Sequence, residues 1–272
     1  ASSMASAVRS ALAIDEAAAV AGGCMHRCYR VSIGGALRFL KTNDARHAEV
    51  LRAEADGLAA LRAAGASAPR PLAQGVAGSD AYLLLEYLEL RDGGDFAALG
   101  SALAALHRNA GERYGWHRDN YIGTTPQPNG WDDDWPRFWL ERRLRPQLAL
   151  ARRNGFRLPE PGVAALAGHR PAPSLLHGDL WRGNAAFSAV GPVLFDPAVY
   201  YGDRETDLAM SELFGGFPPA FYEAYGRDYP LAPGYEQRKP LYTLYHLLNH
   251  LNLFGRGYLA QVEATLGLLL VG

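Results

Sequence analysis

The segment 177–184, with the sequence HGDLWRGN, places an aspartate and an asparagine five residues apart in a loop-forming stretch. A carboxylate in such a loop can orient a hydroxyl group and accept its proton, and an amide oxygen can bind a metal ion. The spacing H-x-D-x-x-x-x-N is that of loops which hold an acceptor hydroxyl and Mg²⁺ during phosphoryl transfer. Asp179 is therefore the candidate base, and Asn184 is a candidate metal ligand.

A further carboxylate, Asp196, follows the apolar run at 193–195 and precedes Pro197-Ala198. It stands where the D-F-G aspartate stands in protein kinases. Two short strands around a turn would bring it beside Asn184 and Asp179. Aspartate and asparagine are also common turn formers, so each alone could be an ordinary loop residue. Together, in this order and at this spacing, they favour metal-dependent phosphoryl transfer.

The elements that must position these residues change in character near residue 90. The first part combines a Gly34-Gly35 hairpin with helix-forming and strand-forming runs, whereas the rest is mostly helical. We predict an α+β fold with a small N-terminal lobe over 1–90, built on an antiparallel sheet, and a larger, mainly helical lobe over 91–272. A cleft between lobes is a common place for a small-molecule site. The predicted helices cover 8–21, 46–64, 96–109, 135–154 and the region from 207 onward, and the predicted strands cover 28–31, 36–40, 81–88, 174–177, 185–187 and 192–195.

Composition narrows the class of function. Of 272 residues, 49% are hydrophobic and 20% charged, and the formal net charge is −1, so no basic surface for a nucleic-acid backbone is expected. No apolar run is long enough to span a bilayer, which predicts a protein without membrane association. The two cysteines, Cys24 and Cys28, make a poor zinc site and are expected to be free thiols in the cytoplasm.

The sequence resembles the fructosamine kinase family, relatives of the aminoglycoside phosphotransferases and choline kinases. The resemblance is carried by HGDLWRGN together with FDPAVYYGDRETDLAM at 195–210, and it extends to FLKTN at 39–43, AEADGL at 53–58 and DNYIGTTPQPN at 119–129. It implies a two-lobed, protein-kinase-like fold, with ATP and Mg²⁺ as cofactors.

The resemblance also implies roles for individual residues. Lys41 would contact the α- and β-phosphates of ATP and pair with Glu54. Asp179 would be the catalytic base, with Asn184 and Asp196 as magnesium ligands. Other positions would hold adenine (Glu86, Tyr87, Leu88), cover the phosphates (Gly23, Cys24) or support the catalytic loop (His177, Asp207).

The acceptor would be the 3-hydroxyl of a ketosamine of the ribulosamine, fructosamine or erythrulosamine type, as in deglycation of proteins or metabolites. The loop at 117–129 mixes aromatic, amide and hydroxyl groups, so Asp119, Asn120 and Tyr121 are predicted to bind the acceptor beside Trp181. A solvent-exposed loop and a buried, packing Trp181 are the simpler interpretations.

Two other functions stay open from the sequence. One is a kinase for another small hydroxyl acceptor, such as an aminoglycoside or a choline-like alcohol. An aminoglycoside would need an acidic pocket, and the acidic cluster at 132–134 fits a helix N-terminus equally well. The other is a catalytically silent nucleotide-binding module on the same scaffold.

Cysteine and histidine suggest two further features. Nearby arginines could stabilise a Cys24 thiolate, and oxidation could then link two protomers in a homodimer. An inert thiol is the alternative, and Cys28 is the better candidate for one. His246 and His250 lie four residues apart in a helical pattern without a third ligand nearby, which favours histidines in the core or lining a pocket.

Overall fold

The computed structural model describes residues 5–20 and 25–270, and its first lobe is organised around a hairpin. Strand β2 (Arg27–Ile33) pairs antiparallel with β3 (Ala36–Asp44), and Ile33 faces Ala36 across the turn. Gly34 and Gly35 adopt φ values of 56° and 76° in that turn. A two-residue hairpin turn of this type requires positive φ at both positions, which glycine adopts without strain. The predicted hairpin is confirmed.

Within the described residues, the hairpin belongs to a five-stranded antiparallel sheet with the order β1-β2-β3-β5-β4. The helix after β3 packs on this sheet through its buried side chains, including Leu51, Leu58 and Leu61. The predicted helix at 46–64 and strand at 81–88 are confirmed with slightly different ends. The remaining elements of this lobe are α1 (Ser6–Ala11), β1 (Glu16–Val20), α2 (Ala48–Ala63), β4 (Pro71–Ala77) and β5 (Asp80–Glu86).

The single helix predicted over 8–21 is wrong. Helix α1 ends at Ala11, Ala13 has a φ of 50°, and residues 16–20 form β1. Val20 of β1 lies opposite Cys28 of β2, and the pairing continues to Glu16. The helix propensity of alanine is a weak preference, and pairing with an open sheet edge outweighs it here.

The second part of the chain is mainly helical, with short hairpins placed between the helices. The buried aromatic rings of Trp135, Trp139 and Tyr242 form part of one large hydrophobic core. The helices are α3 (Phe96–His107), α4 (Trp135–Trp139), α5 (Arg145–Arg153), α6 (Glu205–Glu212), α7 (Pro219–Asp228), α8 (Tyr235–Phe254) and α9 (Leu259–Leu270), and the strands are β6 (Asn120–Ile122), β7 (Thr125–Gln127), β8 (Ser174–Leu176), β9 (Ala185–Ser188), β10 (Gly191–Leu194) and β11 (Tyr200–Gly202).

The predicted helix at 135–154 is interrupted by a π-helical turn at Leu140–Leu144, between α4 and α5. Such turns are frequent near functional sites. Arg143 lies in this turn and is fully buried.

The connection between the sheet lobe and the helical lobe runs from the end of β5 at Glu86 to the start of α3 at Phe96. The lobe boundary predicted at residues 90–91 falls inside this connection. Across residues 5–20 and 25–270, none of the helices combines the length and apolar character required to cross a membrane.

Candidate active site

A cavity of about 1420 Å³ lies between the sheet lobe and the helical lobe. Lys41 and Glu86 line it from the sheet side, and Asp179, Trp181 and Asp196 line it from the helical side. These residues are far apart in sequence and come together because β3, β5 and the segments around β8–β10 border the same cleft.

The segment that carries Asp179 follows β8 and packs closely on the chain after Asp196. Gly178 has a φ of 84°, and a Cβ atom there would stand 1.9 Å from the backbone oxygen of Ala198. The backbone N–H of Ala198 donates to the His177 oxygen at 2.8 Å. Only glycine allows this approach, which holds Asp179 and Asp196 at the same end of the cleft.

Asp207, at the start of α6, supports this segment from beneath. Its Oδ2 accepts the backbone N–H of His177 at 2.7 Å, and its Oδ1 accepts that of Gly178 at 2.9 Å. His107 Nε2 lies 3.0 Å from Oδ2. Burial alone would raise the pKa of Asp207, but the hydrogen bond and charge from His107 outweigh it and lower the pKa. Asp207 therefore contacts the backbone of the predicted catalytic loop, as expected of a residue that supports this loop.

His177 connects the two halves of the site through both ring nitrogens. Nε2 lies 2.9 Å from the backbone oxygen of Phe195, which can only accept, so Nε2 carries the proton. Nδ1 accepts the backbone N–H of Asp179 at 3.3 Å. Burial lowers the pKa of His177, which favours this neutral tautomer. The ring therefore joins the Asp179 loop to the residue before Asp196.

Asn184 faces Asp179 across the loop. Its side-chain nitrogen donates to the backbone oxygen of Asp179 at 2.9 Å and to Oδ2 at 3.2 Å. Within the part of the chain that the structure describes, the amide oxygen of Asn184 makes no hydrogen bond, so it is free for another partner. Burial, with the negative charge of Asp196, raises the pKa of Asp179 to about 7. A carboxylate with this pKa can take up a proton near neutral pH.

Asp196 returns to Asn184 through the β9–β10 hairpin. Leu194 lies opposite Ala185, and the backbone N–H of Phe195 donates to the backbone oxygen of Asn184 at 3.1 Å. Asp196 itself has a φ of 53°, a left-handed conformation that aspartate adopts only at a cost. Its side chain is 43% exposed in the cleft.

Lys41 links the sheet lobe to Asp196. Its Nζ lies 2.6 Å from Glu54 Oε1 on α2, and it also contacts Asp196 Oδ1. Burial alone would lower the pKa of Lys41, but the charges of Asp196 and Glu54 raise it well above the ordinary value. The predicted Lys41–Glu54 pair is present, and the ammonium group stays charged beside the metal-ligand candidate.

Glu86, Tyr87 and Leu88 line the cavity at the connection between the lobes. The side chain of Glu86 is directed to the sheet lobe, where Oε1 accepts the backbone N–H of Arg70 at 2.8 Å. Gly23 and Cys24 lie outside the described residues, so their contribution to a phosphate loop and the redox-linked dimer remain predictions without structural support. Cys28 is buried, and burial raises the pKa of its thiol to about 11, which favours the inert form.

The predicted acceptor residues divide into two groups. Tyr121 and Trp181 line the cavity, whereas Asp119 and Asn120 are not among its lining residues, contrary to prediction. Asp119 is exposed, and its Oδ1 accepts the backbone N–H of Asn129 at 2.7 Å. Asn120 is buried and donates to the backbone oxygen of Val199 at 2.7 Å. Both side chains organise the chain rather than facing the cleft.

Asn120 belongs to a buried polar network under the Asp196 segment. Its Oδ1 accepts from Gln127 Nε2 at 2.9 Å and from Asn129 Nδ2 at 2.8 Å. Arg143, from the π-helical turn, donates to Asn129 Oδ1 at 2.7 Å and lies over the ring of Tyr200. The network therefore fixes the residues that follow Asp196.

The acidic cluster at 132–134 is not part of the cavity lining. Asp134 caps α4 by accepting the backbone N–H of Arg137 at 2.8 Å, and Asp132 pairs with the Arg137 side chain. This agrees with the helix N-terminus interpretation. His246 is buried in the core and His250 lines the cavity, so the interpretation of these two histidines is confirmed.

Several cavity residues are absent from the sequence-based prediction. One group of them comes from the turn after α6, the end of α8 and the turn at Arg256–Tyr258, far from the recognised motifs. For His250, the helical spacing from His246 indicated a position in the core or at a pocket. The aromatic members of this group are Phe214, His250, Phe254 and Tyr258.

The fold is the kinase-like fold of the aminoglycoside phosphotransferases. A solved aminoglycoside phosphotransferase in a ternary complex with ADP and hygromycin B matches with a TM-score of 0.60 at 13% identity, over 96% of this chain and 94% of that chain, which supports the shared fold. A crystal structure from Haemophilus somnus 129PT, provisionally named a fructosamine-3-kinase, matches with a TM-score of 0.89 at 31% identity, over 94% of this chain and 92% of that chain.

The chain belongs to the fructosamine kinase family, whose model matches residues 1–271. A probable ketoamine kinase of Synechocystis sp. is 48% identical over 264 residues, covering 93% of this chain and 90% of the relative. One from Vibrio parahaemolyticus is 42% identical over 264 residues, covering 93% and 92%. The protein is thus a kinase that transfers a phosphoryl group to an alcohol acceptor, as the sequence predicted, and kinases of this family use ATP.

Proposed function

We propose that this protein transfers the γ-phosphoryl group of ATP to the 3-hydroxyl of a ketosamine. The observation that carries the proposal is the convergence of Asp179, Asn184 and Asp196 with the Lys41–Glu54 pair at one end of the cleft. Asp179 and Asn184 share one segment, whereas Asp196, Lys41 and Glu54 come from three others. The hydrogen bonds of His177 and Asp207 hold the Asp179 loop beside the Asp196 segment.

The reaction forms a bond from the acceptor oxygen to the γ-phosphorus and breaks the bond between that phosphorus and the β–γ bridging oxygen, which leaves with ADP. The hydroxyl proton goes to the carboxylate of Asp179. The raised pKa of Asp179 suits this role because a base is most effective when its pKa is near the working pH. The Asn184 amide holds the carboxylate in place.

The donor set suits Mg²⁺, which prefers oxygen ligands and keeps several waters. Asn184 has its amide oxygen available, and the half-exposed carboxylate of Asp196 faces the cleft beside Lys41. When bound, Mg²⁺ would neutralise charge that develops on the transferred phosphate. We propose Asn184 and Asp196 as its ligands and Lys41 as the cation for the α- and β-phosphates.

The nucleotide base would lie against the segment 86–88, at the connection between the lobes. Its residues line the cavity, and the Glu86 backbone N–H already donates to the Arg70 oxygen at 2.9 Å. We therefore propose the backbone groups of Tyr87 and Leu88 as the contacts to adenine. The solved relative that carries ADP supports a nucleotide in this fold. Because the reaction consumes ATP, we also propose the cytoplasm as its location.

Ribulosamines, fructosamines and erythrulosamines share the amine-linked carbon, the adjacent carbonyl and the 3-hydroxyl. The proposal covers all three, and phosphorylation at this oxygen would serve the deglycation of proteins or metabolites. Tyr121 and Trp181, which line the cavity, are the proposed contacts to the sugar part.

The test is ADP release with each of the three ketosamines, with a free ketose, with choline and with an aminoglycoside, in the presence of Mg²⁺ and after chelation. We expect turnover with at least one ketosamine that depends on the metal, and phosphorus NMR of the product should locate the phosphate on the 3-oxygen. Turnover with choline or the aminoglycoside, but with none of the ketosamines, would show that the proposed acceptor is wrong and that the phosphorylated compound represents the acceptor class. The absence of turnover with every acceptor, despite ATP binding, would support a silent module.

A further inference from the structure

Four aromatic side chains form one face of the cavity beside Trp181; we name them the aromatic wall: Phe214, His250, Phe254 and Tyr258. The His250 ring lies at its centre, with its centroid 4.6 Å from that of Phe214, 5.6 Å from that of Phe254 and 5.1 Å from that of Tyr258. Phe214 lies 6.5 Å from Trp181, centroid to centroid. Since Trp181 follows Asp179 by two residues, the wall extends outward from the proposed base.

The wall is open to the cleft. Phe214 is 39% exposed and Phe254 is 49% exposed, although both are large apolar side chains. Grouped aromatic rings in a cleft, unlike single exposed apolar residues, mark a binding surface.

The backbone at Phe214, whose ring lies at this surface, is strained. Phe214 adopts φ 56° and ψ 38°, which is a left-handed conformation for a bulky residue. Gly215 and Gly216 follow with φ values of 96° and 68°. Strain of this kind persists where surrounding structure enforces it, and it concentrates at ligand sites.

His250 adds one hydrogen-bond acceptor to the wall. Its Nδ1 lies 2.8 Å from the backbone oxygen of His246, so Nδ1 carries the proton. Nε2 is then the nitrogen with a free lone pair. Burial lowers the pKa of His250, which keeps the ring neutral.

The negative charges of the cavity lie elsewhere. None of the carboxylate residues that line the described cavity belongs to α8 or to the turns that carry the wall. Glu54 is paired with Lys41, and Glu86 accepts from Arg70. A cation placed against the wall would therefore contact aromatic faces and not a carboxylate carried by these elements. The lining carboxylates are Glu54, Glu86, Asp92, Asp179 and Asp196.

We propose that the aromatic wall binds the ammonium group of the ketosamine, with the faces of Phe214 and Phe254 against the cation and His250 Nε2 accepting an N–H. The inference rests on the proposed function. A ketosamine nitrogen is a secondary amine, protonated at neutral pH, and only a few covalent bonds separate it from the 3-hydroxyl. With that hydroxyl at Asp179, the nitrogen would be directed toward the wall, which begins beside Trp181. Aromatic faces attract such a cation through the ring quadrupole.

The test compares two acceptors that differ in one atom. One is a ketosamine made from propylamine, and the other is the ether in which oxygen replaces the nitrogen, which has the same shape but no charge and no N–H. We expect the wild-type protein to favour the ketosamine in kcat/KM by about fivefold to twentyfold, the range that a partly desolvated cation–π contact supplies. Equal values for the two acceptors would overturn the proposal.

Two variants at one position then assign the preference to the wall. Phe254→Leu keeps an apolar side chain but removes the ring face, and it should lower kcat/KM for the ketosamine more than for the ether, reducing the ratio to about twofold or less. Phe254→Tyr keeps the ring and should keep the ratio. Phe214→Leu should act like Phe254→Leu. If both leucine variants keep the wild-type ratio of kcat/KM for the ketosamine to that for the ether, the aromatic wall does not bind the ammonium group.

The outcomes separate this inference from the proposed function. If the wild type phosphorylates neither acceptor when each is made with any of the three sugars, the ketosamine kinase assignment fails. If it phosphorylates both equally, that assignment holds and the aromatic wall has no role in recognising charge. Melting curves and ATP binding of each variant confirm that a changed ratio does not come from loss of the fold.

Discussion

Asn120 donates its side-chain amide to the backbone oxygen of Val199 at 2.7 Å, three residues after Asp196. The same side chain accepts from Gln127 and Asn129, so one buried residue joins β6, the end of β7 and the Asp196 segment. Asn120 is in this sense a positioning residue for Asp196, without lining the cleft itself.

Replacing Asn120 by alanine should therefore affect the metal site as well as stability. Asn120→Ala leaves the Val199 oxygen and two amide donors without their partner, which should lower the free energy of unfolding by about 1–3 kcal/mol. We also expect a higher Mg²⁺ concentration for half-maximal activity. Asp119→Asn is the matched control, because the exposed neighbour keeps an oxygen to accept from Asn129. An unchanged Mg²⁺ requirement in Asn120→Ala would limit this residue to a structural role.

Asp179→Asn tests the base. The amide cannot take up the hydroxyl proton, so kcat should fall by about a hundredfold to ten-thousandfold while ATP binding is retained. Steady-state kinetics and direct nucleotide binding measure the two quantities. Asp92→Asn is the control, since Asp92 lines the same cavity from an exposed position. Turnover near the wild-type value in Asp179→Asn would exclude Asp179 as the base.

Asp196 and Asn184 should differ in how strongly they support metal-dependent activity. Asp196→Ala removes an anionic oxygen and also one partner of Lys41, so activity should be lost at every Mg²⁺ concentration. Asn184→Ala removes a neutral oxygen, and higher Mg²⁺ should restore part of the activity. The measurement is a Mg²⁺ titration of the initial rate for each variant. If the titration of Asp196→Ala overlays that of the wild type, the ligand assignment is incorrect.

Asp207→Asn tests the support of the catalytic segment through the pH dependence of stability. The folded-state pKa of Asp207 lies below its ordinary value of 3.8, so its stabilising contribution is complete above that value. It is lost as the pH falls through the lower folded-state pKa. At pH 7, Asp207→Asn should lower the free energy of unfolding by about 1.5–3 kcal/mol, because hydrogen bonds to a charged group are lost.

Below pH 3.8 the difference between wild type and Asp207→Asn should shrink, and denaturant titrations across that range would show it. The exposed Asp133 provides Asp133→Asn as a control with little effect at either pH. A difference that stays constant with pH would show that the charge of Asp207 does not stabilise the fold.

The sequence predicted the lobes and the motifs well, because local patterns determine them. The Gly34-Gly35 hairpin and helix α2 follow from turn chemistry and helix propensity. Strand β1 does not: its alanines favour a helix, and the preference is reversed by pairing with β2, which a local pattern cannot show. Strand β4, which begins at Pro71, is likewise determined by its pairing with β5 at the sheet edge.

Within the site, the motif residues meet where their spacing suggested, whereas side-chain direction could not be predicted. Asn120 and Tyr121 are neighbours, yet Asn120 is directed to the core and Tyr121 to the cavity. Phe214 lines the cleft from a left-handed backbone, a conformation that sequence does not predict for phenylalanine.

The size of the cleft has a kinetic consequence. At about 1420 Å³ it exceeds the roughly 300–1,000 Å³ of an ordinary single-ligand pocket, and the proposed base, the metal-ligand candidates and the aromatic wall all border this one space. Nucleotide and acceptor can therefore be bound together, and the phosphoryl group can pass between them directly. Double-reciprocal plots of initial velocity should give intersecting lines as both substrates are varied, and parallel lines would instead indicate a phosphorylated enzyme intermediate.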